Sequence, residues 1–330
     1  MREAIVSFVV RRWPRAAGAA ALDIQPIAGG LEASVARVRF GPATASPDLP
    51  VGLVAKRVTG TAREALVYQH LWRRWRLPPA VRLLGLRTAR DGTYLFLEDA
   101  APACSWPWTD VAAAAAVCRE LARLHDRRLH RDLTLDWDYE AELSASAEAT
   151  VHLAERAVDA GGRRLWRRRG DLRRVVRRLG ALRARLLAGE TTLIHGDMHP
   201  GNVCTRDHAR QPVVFVDWAR ARPGSPLEDI ASWLHSLGCW EPQARRRHDT
   251  LMRVYLDARR GRSTFDRGLR MEYWLASASN GLAGAIRYHL AVSADPASDD
   301  DSRSRSRRAL NAWERVVKRA AALLRTSPGR

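Results

Sequence analysis

Apolar positions change their period near residue 100 of this 330-residue chain. Before that point, short apolar runs recur at residues 4–10, 34–40, 51–56, 81–86 and 94–97, separated by Gly, Pro and Asp. Runs of this length, rich in Val and Leu and bounded by turn residues, predict strands. Asp91-Gly92 is a hairpin-turn signal ahead of the last run. One helical segment interrupts them at residues 61–75, with Thr61 as candidate N-cap and Ala65, Leu66, Tyr68, Leu71 and Trp72 sampling its faces. Beyond Asp110, three-four spacing takes over. It predicts helices at 110–128, 140–160, 171–188, 226–238, 242–260, 264–292 and 304–325. Leu172, Val175, Val176, Leu179, Leu182 and Leu186 form the clearest stripe. Asp299-Asp300-Asp301 with residues 302–308 reads as a charged loop. The expected class is α+β: a small antiparallel, five-stranded lobe over residues 1–100 and a larger, mainly helical lobe over 101–330. No internal repeat is visible.

Composition sharpens this picture at one position. The chain has 55 basic residues, yet only Lys56 and Lys318 are lysines. A lysine kept in so arginine-rich a chain invites a chemical reason. Lys56 ends the apolar run at residues 51–55, where a compact ammonium does what a planar guanidinium does poorly. The formal charge of +19 raises nucleic-acid binding as a rival, and residues 163–185 hold eleven arginines against one acid, Asp171. Basic residues are spread along the whole chain, however, and the same segment carries an ordinary amphipathic stripe. Nucleic acid is therefore not an expected partner. Cys104, Cys118, Cys204 and Cys239 have no C-x-x-C spacing, which fits a reducing cytoplasm. No apolar span approaches membrane length, and the run at 4–10 ends at Arg11-Arg12, too short for a signal peptide. A membrane partner is not expected.

The candidate chemistry is concentrated between Thr191 and Arg220. Leu193-Ile194 leads into His195-Gly196-Asp197, and Asn202 follows five positions after Asp197. A second apolar run, residues 213–216, delivers Asp217 just before Trp218. Two short strands joined by a turn would carry all three oxygen-bearing side chains. Phosphoryl transfer from ATP needs such a set: one carboxylate to orient a hydroxyl and take its proton, an amide and a second carboxylate to hold Mg²⁺.

The pattern H-G-D-x-x-x-x-N followed by D-W resembles the aminoglycoside phosphotransferase/choline kinase-like family, relatives of the protein kinases. The resemblance implies a two-lobed protein kinase-like fold, ATP or GTP with Mg²⁺ as cofactors, and a small-molecule hydroxyl as acceptor. It implies Asp197 as catalytic base, His195 as its brace in the loop, and Asn202 and Asp217 as metal ligands. It also implies Lys56 on the α/β-phosphates with Glu64 as its partner. The Gly29-Gly30 turn would lie over the phosphates, and Glu98 and Ala100 would meet adenine through their main chain at a hinge. Asp229, in the segment 226–231, matches a family motif that braces the catalytic loop. A pseudokinase scaffold would need a broken set, and none of Lys56, Asp197, Asn202 or Asp217 is missing.

Two other readings compete for the same residues. Residues 129–133, Leu-His-Arg-Asp-Leu, imitate a protein-kinase catalytic loop, but Trp137 stands five positions after Asp132 where Asn is needed. This segment is expected to end the helix that starts at Asp110. Alternate residues His195, Asp197 and His199 could instead hold zinc for a hydrolase, though this leaves Asn202 and Asp217 without a purpose. For a cationic acceptor, Asp138, Glu140, Glu142 and Asp229 are the candidate acids. The twelve tryptophans, including Trp106, Trp108, Trp233, Trp240 and Trp274, read mainly as packing.

Overall fold

The run at residues 4–10, read above as a strand, is helical. The structure, a computed structural model, describes residues 1–14, 22–27, 34–41, 50, 52–58, 63–75, 78–100, 111–127, 135–159, 161–205, 213–259 and 264–325. In it α1 spans Arg2–Arg12. Its β-branched residues suggested a strand, but Ala4, Ile5, Phe8 and Val9 also fall on one helical stripe. Glu3 in the first turn and Arg11 and Arg12 in the last complement the helix dipole. Packing then decides: Phe8 stacks on Phe96 with ring centroids 3.8 Å apart. Gly85 makes room for that ring, since a Cβ there would lie 2.5 Å from it.

The chain divides into two units: residues 1–105 with 130–136 and 202–220, and the remainder. In the first, β1 (Asp23–Ile27), β2 (Ser34–Arg39), β3 (Gly52–Val58), β4 (Leu83–Ala89) and β5 (Gly92–Glu98) form an antiparallel sheet in the order β1-β2-β3-β5-β4. Helix α2 spans Arg63–Arg74. Ala36, Val38, Leu53, Ala55, Tyr94 and Phe96 from the sheet are buried in one cluster with Ala4, Ile5 and Val9 of α1. A fully buried Leu or Phe contributes about 1.5–3 kcal/mol, so this cluster is what holds α1 to the sheet. The small sheet has five strands as expected, but β1 takes the place assigned to residues 4–10.

The second unit is mostly helical: α3 (Val111–His125), α4 (Tyr139–Arg156), α5 (Arg169–Arg177), α6 (Leu179–Leu187), and then, after a short ladder, α7 (Pro226–Trp240), α8 (His248–Ala258), α9 (Arg267–Asn280), α10 (Ile286–Ala294) and α11 (Asp300–Leu323). Three helices run differently from the expectation. The stripe at 171–188 breaks at Arg178, whose backbone is not helical (φ −108°). The segment 264–292 is interrupted by a π-turn at Gly281–Ala285, where two glycines weaken the helix. Asp299 is no loop residue: its carboxylate accepts the Ser302 amide and caps α11, so residues 300–308 are helical. Gly29, Gly30, Thr61, Cys104, Trp106, Trp108 and the segment 129–133 lie outside the described residues.

Strand pairing around the key segment also departs from a single hairpin. β6 (Thr192–Ile194) pairs with β9 (Arg222–Gly224) in the second unit, whereas β7 (Val203–Thr205) pairs with β8 (Val213–Phe215) in the first. The approach to His195 and the approach to Asp217 are thus two separate ladders.

Candidate active site

In the first unit, β3 carries Lys56 opposite Leu95 of β5. Its Nζ stands 2.7 Å from Glu64 Oε2 of α2 and 2.7 Å from Asp217 Oδ1. Lys56 and Glu64 are 7% and 2% exposed. Burial lowers the pKa of the Lys56 ammonium, but Glu64 and then Asp217 outweigh it, and the net shift is upward. Burial pushes the Glu64 carboxyl up to about 7 against the pull of Lys56. The ion pair stands because each charge has its partner at contact distance in a site that water does not reach.

Asp217 leaves β8 with φ 63°, the only non-glycine among the described residues in the left-handed region. That conformation is costly for a residue with a Cβ, by about 1–3 kcal/mol, and persists where the surroundings over-determine it. Here they do. The next residue, Trp218, is fully buried and its indole N–H donates to the Phe215 carbonyl at 3.1 Å. Val216 N–H donates to the Asn202 carbonyl at 2.9 Å, so Asn202 and Asp217 share one end of the β7–β8 ladder. The Phe215 amide is tied in turn to the Pro79 carbonyl at 2.8 Å. Asn202 is buried, whereas the Asp217 side chain keeps 39% of its surface.

In the second unit, β6 delivers His195 and Gly196, and Gly196 takes φ 80° as the chain turns. Asp229, in the first turn of α7, accepts both consecutive amides, His195 N–H at 2.7 Å and Gly196 N–H at 2.8 Å. Its carboxyl is fully buried; burial alone would raise its pKa, but the hydrogen bonds from His125 and the Gly196 amide help hold it below the usual carboxylate range. His195 is buried, and its Nδ1 accepts the Asp197 amide at 3.4 Å. Asp197 itself projects outward, with 44% of its side chain exposed. A fixed backbone thus presents an accessible carboxylate.

Glu98 N–H donates to the Arg82 carbonyl at 2.8 Å and Ala100 N–H to the Glu98 carbonyl at 3.1 Å, so these main-chain amides at the end of β5 already hold partners. His199 Nδ1 accepts the Gly201 amide at 3.0 Å. Among the described residues no group of three His, Cys, Asp or Glu side chains is arranged to hold a metal ion. Asn202 and Asp217 offer the hard oxygens that suit Mg²⁺, which takes only one or two protein oxygens beside phosphates and waters. The candidate acids for a cationic acceptor are engaged: Asp138 caps α4, Glu140 pairs with Arg183, Glu142 accepts the Trp137 indole and Asp229 holds the loop. Trp233 is core, as the packing reading holds, and Trp274 is half-buried with the Arg319 guanidinium 4.9 Å from its ring centre.

Sequence reasoning missed a buried charge cluster behind β9. Glu228 Oε1 lies 2.7 Å from Arg183 Nη1 and 3.0 Å from Arg222 Nη2, and the Arg222 guanidinium stacks 3.6 Å above the Tyr139 ring. Arg183 was counted into the basic segment, yet it is 4% exposed. Its position in the apolar stripe beside Leu182 and Leu186 was the signal that marked it as an inward-facing arginine.

The sequence matches the phosphotransferase enzyme family, APH, over residues 23–265. The chain belongs to this family. The phosphotransferase also shares its fold with solved kinases. A choline/ethanolamine kinase family protein from Mesorhizobium loti aligns at TM-score 0.61 and 17% identity over 99% of this chain and 100% of its own. Choline kinase from Cryptosporidium parvum aligns at 0.63 and 11%, over 96% of each chain. The aminoglycoside phosphotransferase APH(3'')-Id from Streptomyces rimosus, in complex with ADP and streptomycin, aligns at 0.55 and 18%, over 85% of this chain and 98% of its own. At these identities the likenesses establish the kinase-like fold, in line with the α+β expectation. No curated protein matches the sequence. No helix among the described residues of the phosphotransferase is long and apolar enough to cross a membrane.

Proposed function

We propose that this phosphotransferase moves the γ-phosphoryl group of ATP or GTP to a hydroxyl of a small molecule: an aminoglycoside-like antibiotic, a sugar or an amino alcohol. The observation that carries the reading is Lys56 held between Glu64 and Asp217, with Asp217 kept in a left-handed backbone beside Asn202. A merely structural ion pair requires no strained aspartate. Groups preorganised for phosphates and a hard cation do require fixed positions.

In this reading the Lys56 ammonium engages the α/β-phosphate oxygens, and Glu64 keeps it aimed. Asn202 and Asp217 would hold Mg²⁺, which when bound neutralises charge on the β- and γ-phosphate oxygens. For Glu98 and Ala100 to meet adenine through main-chain atoms, the Ala100 amide exchanges the Glu98 carbonyl for the base; Gly29 and Gly30 are the candidate phosphate-covering residues. Asp197 accepts a hydrogen bond from the acceptor hydroxyl and orients its oxygen in line with the γ-phosphorus. The new O–P bond forms as the bond to the β-phosphate oxygen breaks; the hydroxyl proton passes to Asp197 and the nucleoside diphosphate leaves. The exposure of Asp197 suits a group that must meet an acceptor arriving from solvent, and buried His195 braces the loop.

The likeness in fold to a choline/ethanolamine kinase family protein and to an enzyme solved with streptomycin supports a small hydroxyl acceptor. The test is release of ADP from Mg·ATP across a panel containing choline, ethanolamine, streptomycin and simple sugars, beside an Asp197→Asn control. At least one compound is expected to raise ADP release in the wild type alone. Equal release by both proteins across the panel would overturn the reading.

A further inference from the structure

Asp229 has support of its own. His125, the last residue of α3, is buried, and its Nε2 lies 3.1 Å from Asp229 Oδ2. Its Nδ1 lies 2.8 Å from the Tyr255 hydroxyl of α8, and that hydroxyl accepts Arg259 Nη1–H at 3.0 Å. Arg259 ends the string on two acids, with Nε 2.8 Å from Asp126 Oδ1 and Nη2 on Glu190 Oε1. Tyr255, His125 and Asp229 are each shut off from water. A missing partner there has no substitute, and a buried unpaired polar group costs more than the bond it lost.

Counting donors gives the string a direction. An arginine only donates, so the Tyr255 oxygen is the acceptor for Arg259. The single tyrosine hydrogen then goes to His125 Nδ1, leaving the imidazole hydrogen on Nε2, facing the Asp229 carboxylate. Asp229 spends its other capacity on the His195 and Gly196 amides. The opposite tautomer would set a lone pair against the carboxylate and leave the tyrosine hydrogen without an acceptor.

We propose that Tyr255 and Arg259 are positioning residues for phosphoryl transfer. They give His125 Nδ1 its only hydrogen-bond donor among the described residues, hold the ring against Asp229 and, through Asp229, steady the His195-Gly196 backbone from which Asp197 projects. The inference rests on Asp197 as the base that meets the acceptor. A misplacement of about 1 Å at such a group costs roughly 10²-fold in rate, so a loosened loop affects turnover before it affects nucleotide binding.

Tyr255→Phe removes one hydroxyl and keeps the ring that packs the core. Three readouts apply to it: long-range ¹H–¹⁵N spectra of His125, hydrogen exchange at the His195 and Gly196 amides, and ADP release from Mg·ATP with water as the acceptor. In the wild type His125 shows the Nε2–H pattern alone. In Tyr255→Phe the His125 Nδ1 signal loses its hydrogen-bond shift while Nε2–H stays on Asp229, the Gly196 amide exchanges roughly tenfold faster, and ADP release falls roughly tenfold with KM for ATP unchanged. Arg259→Met, which leaves the tyrosine hydrogen in place, gives smaller changes in the same direction and serves if Tyr255→Phe does not fold. Native spectra and exchange in the variants would overturn the proposal, whatever their turnover. Asp197→Asn separates the two claims: wild-type ADP release by that variant sinks the base assignment, while the His125 spectra still judge the string.

Discussion

Lys56 lies at the same 2.7 Å from Glu64 and from Asp217, but the two carboxylates differ in burial, 2% against 39% exposed. Distance alone would make the pairs equal; solvent decides otherwise. A half-exposed pair is screened and contributes about 0–1 kcal/mol. Removing one partner of a buried pair costs about 3–5 kcal/mol, because a charge is left stranded in low dielectric. Lys56→Met should therefore destabilise the first unit by about 3–5 kcal/mol, nearly all of it through the orphaned Glu64. Adding Glu64→Gln should recover most of that loss, and Asp217→Asn alone should cost under about 1 kcal/mol. The loss also has a pH signature. Burial already raises the Glu64 carboxyl from 4.5 to about 7, and losing Lys56 raises it further. A carboxyl whose folded pKa exceeds its unfolded one contributes stability that is complete below the unfolded value and lost as pH rises through the folded value. The Lys56→Met deficit should be small up to about pH 7, where Glu64 is protonated in both proteins, and grow by about 1.4 kcal/mol per pH unit above it until Glu64 ionises in the variant. Urea unfolding of the three variants and the wild type at about pH 5 and about pH 9 measures it. Equal costs for Lys56→Met and Asp217→Asn, or a Lys56→Met deficit indifferent to pH, would refute the reasoning.

Asn202→Ala and Asp217→Ala should each remove most Mg²⁺-dependent ADP release while the protein stays folded; retention of wild-type release by either would reassign the metal ligands. Metal analysis of the purified protein should find no stoichiometric zinc; one zinc per chain that is lost in His199→Ala would favour a hydrolase. Glu228→Gln should lower stability by about 3 kcal/mol or more, since it leaves Arg183 and Arg222 buried with one counter-charge fewer, and a thermal melt equal to wild type would contradict that. Phe8→Ala should cost about 2–3 kcal/mol by undocking α1 from Phe96, as read in the same unfolding experiment.

What could be read from residue order alone was the chemistry with fixed local spacing. Asp197 and Asn202 lie five apart, Asp217 follows an apolar run, and Lys56 ends another, so the sequence alone marks each as lying at the end of an element. Segments whose form is set by distant packing were less legible. Residues 4–10 carry β-branched side chains, yet a stacking partner, Phe96, almost ninety residues away makes them a helix. β9 is three residues containing Pro223 and Gly224, with no apolar alternation; only its pairing with β6 makes it a strand. Arg183 looked like one of many surface arginines because charge counts ignore which side of a helix a residue occupies. His125 carries no local motif at all: its importance comes from Asp229 and Tyr255, 104 and 130 positions away.

The most direct test of the phosphotransferase account is single-turnover transfer from Mg·ATP to the hydroxyl compound that best raises ADP release, comparing wild type with Asp197→Asn, with a nucleotide-binding isotherm on the same samples. Phosphoryl transfer is dominated by positioning and charge, and the base mainly orients the nucleophile. The account predicts a roughly 10²–10⁴-fold loss of transfer in Asp197→Asn with nucleotide affinity nearly unchanged. Near-native transfer by Asp197→Asn, together with its abolition by Asp132→Asn, would contradict it.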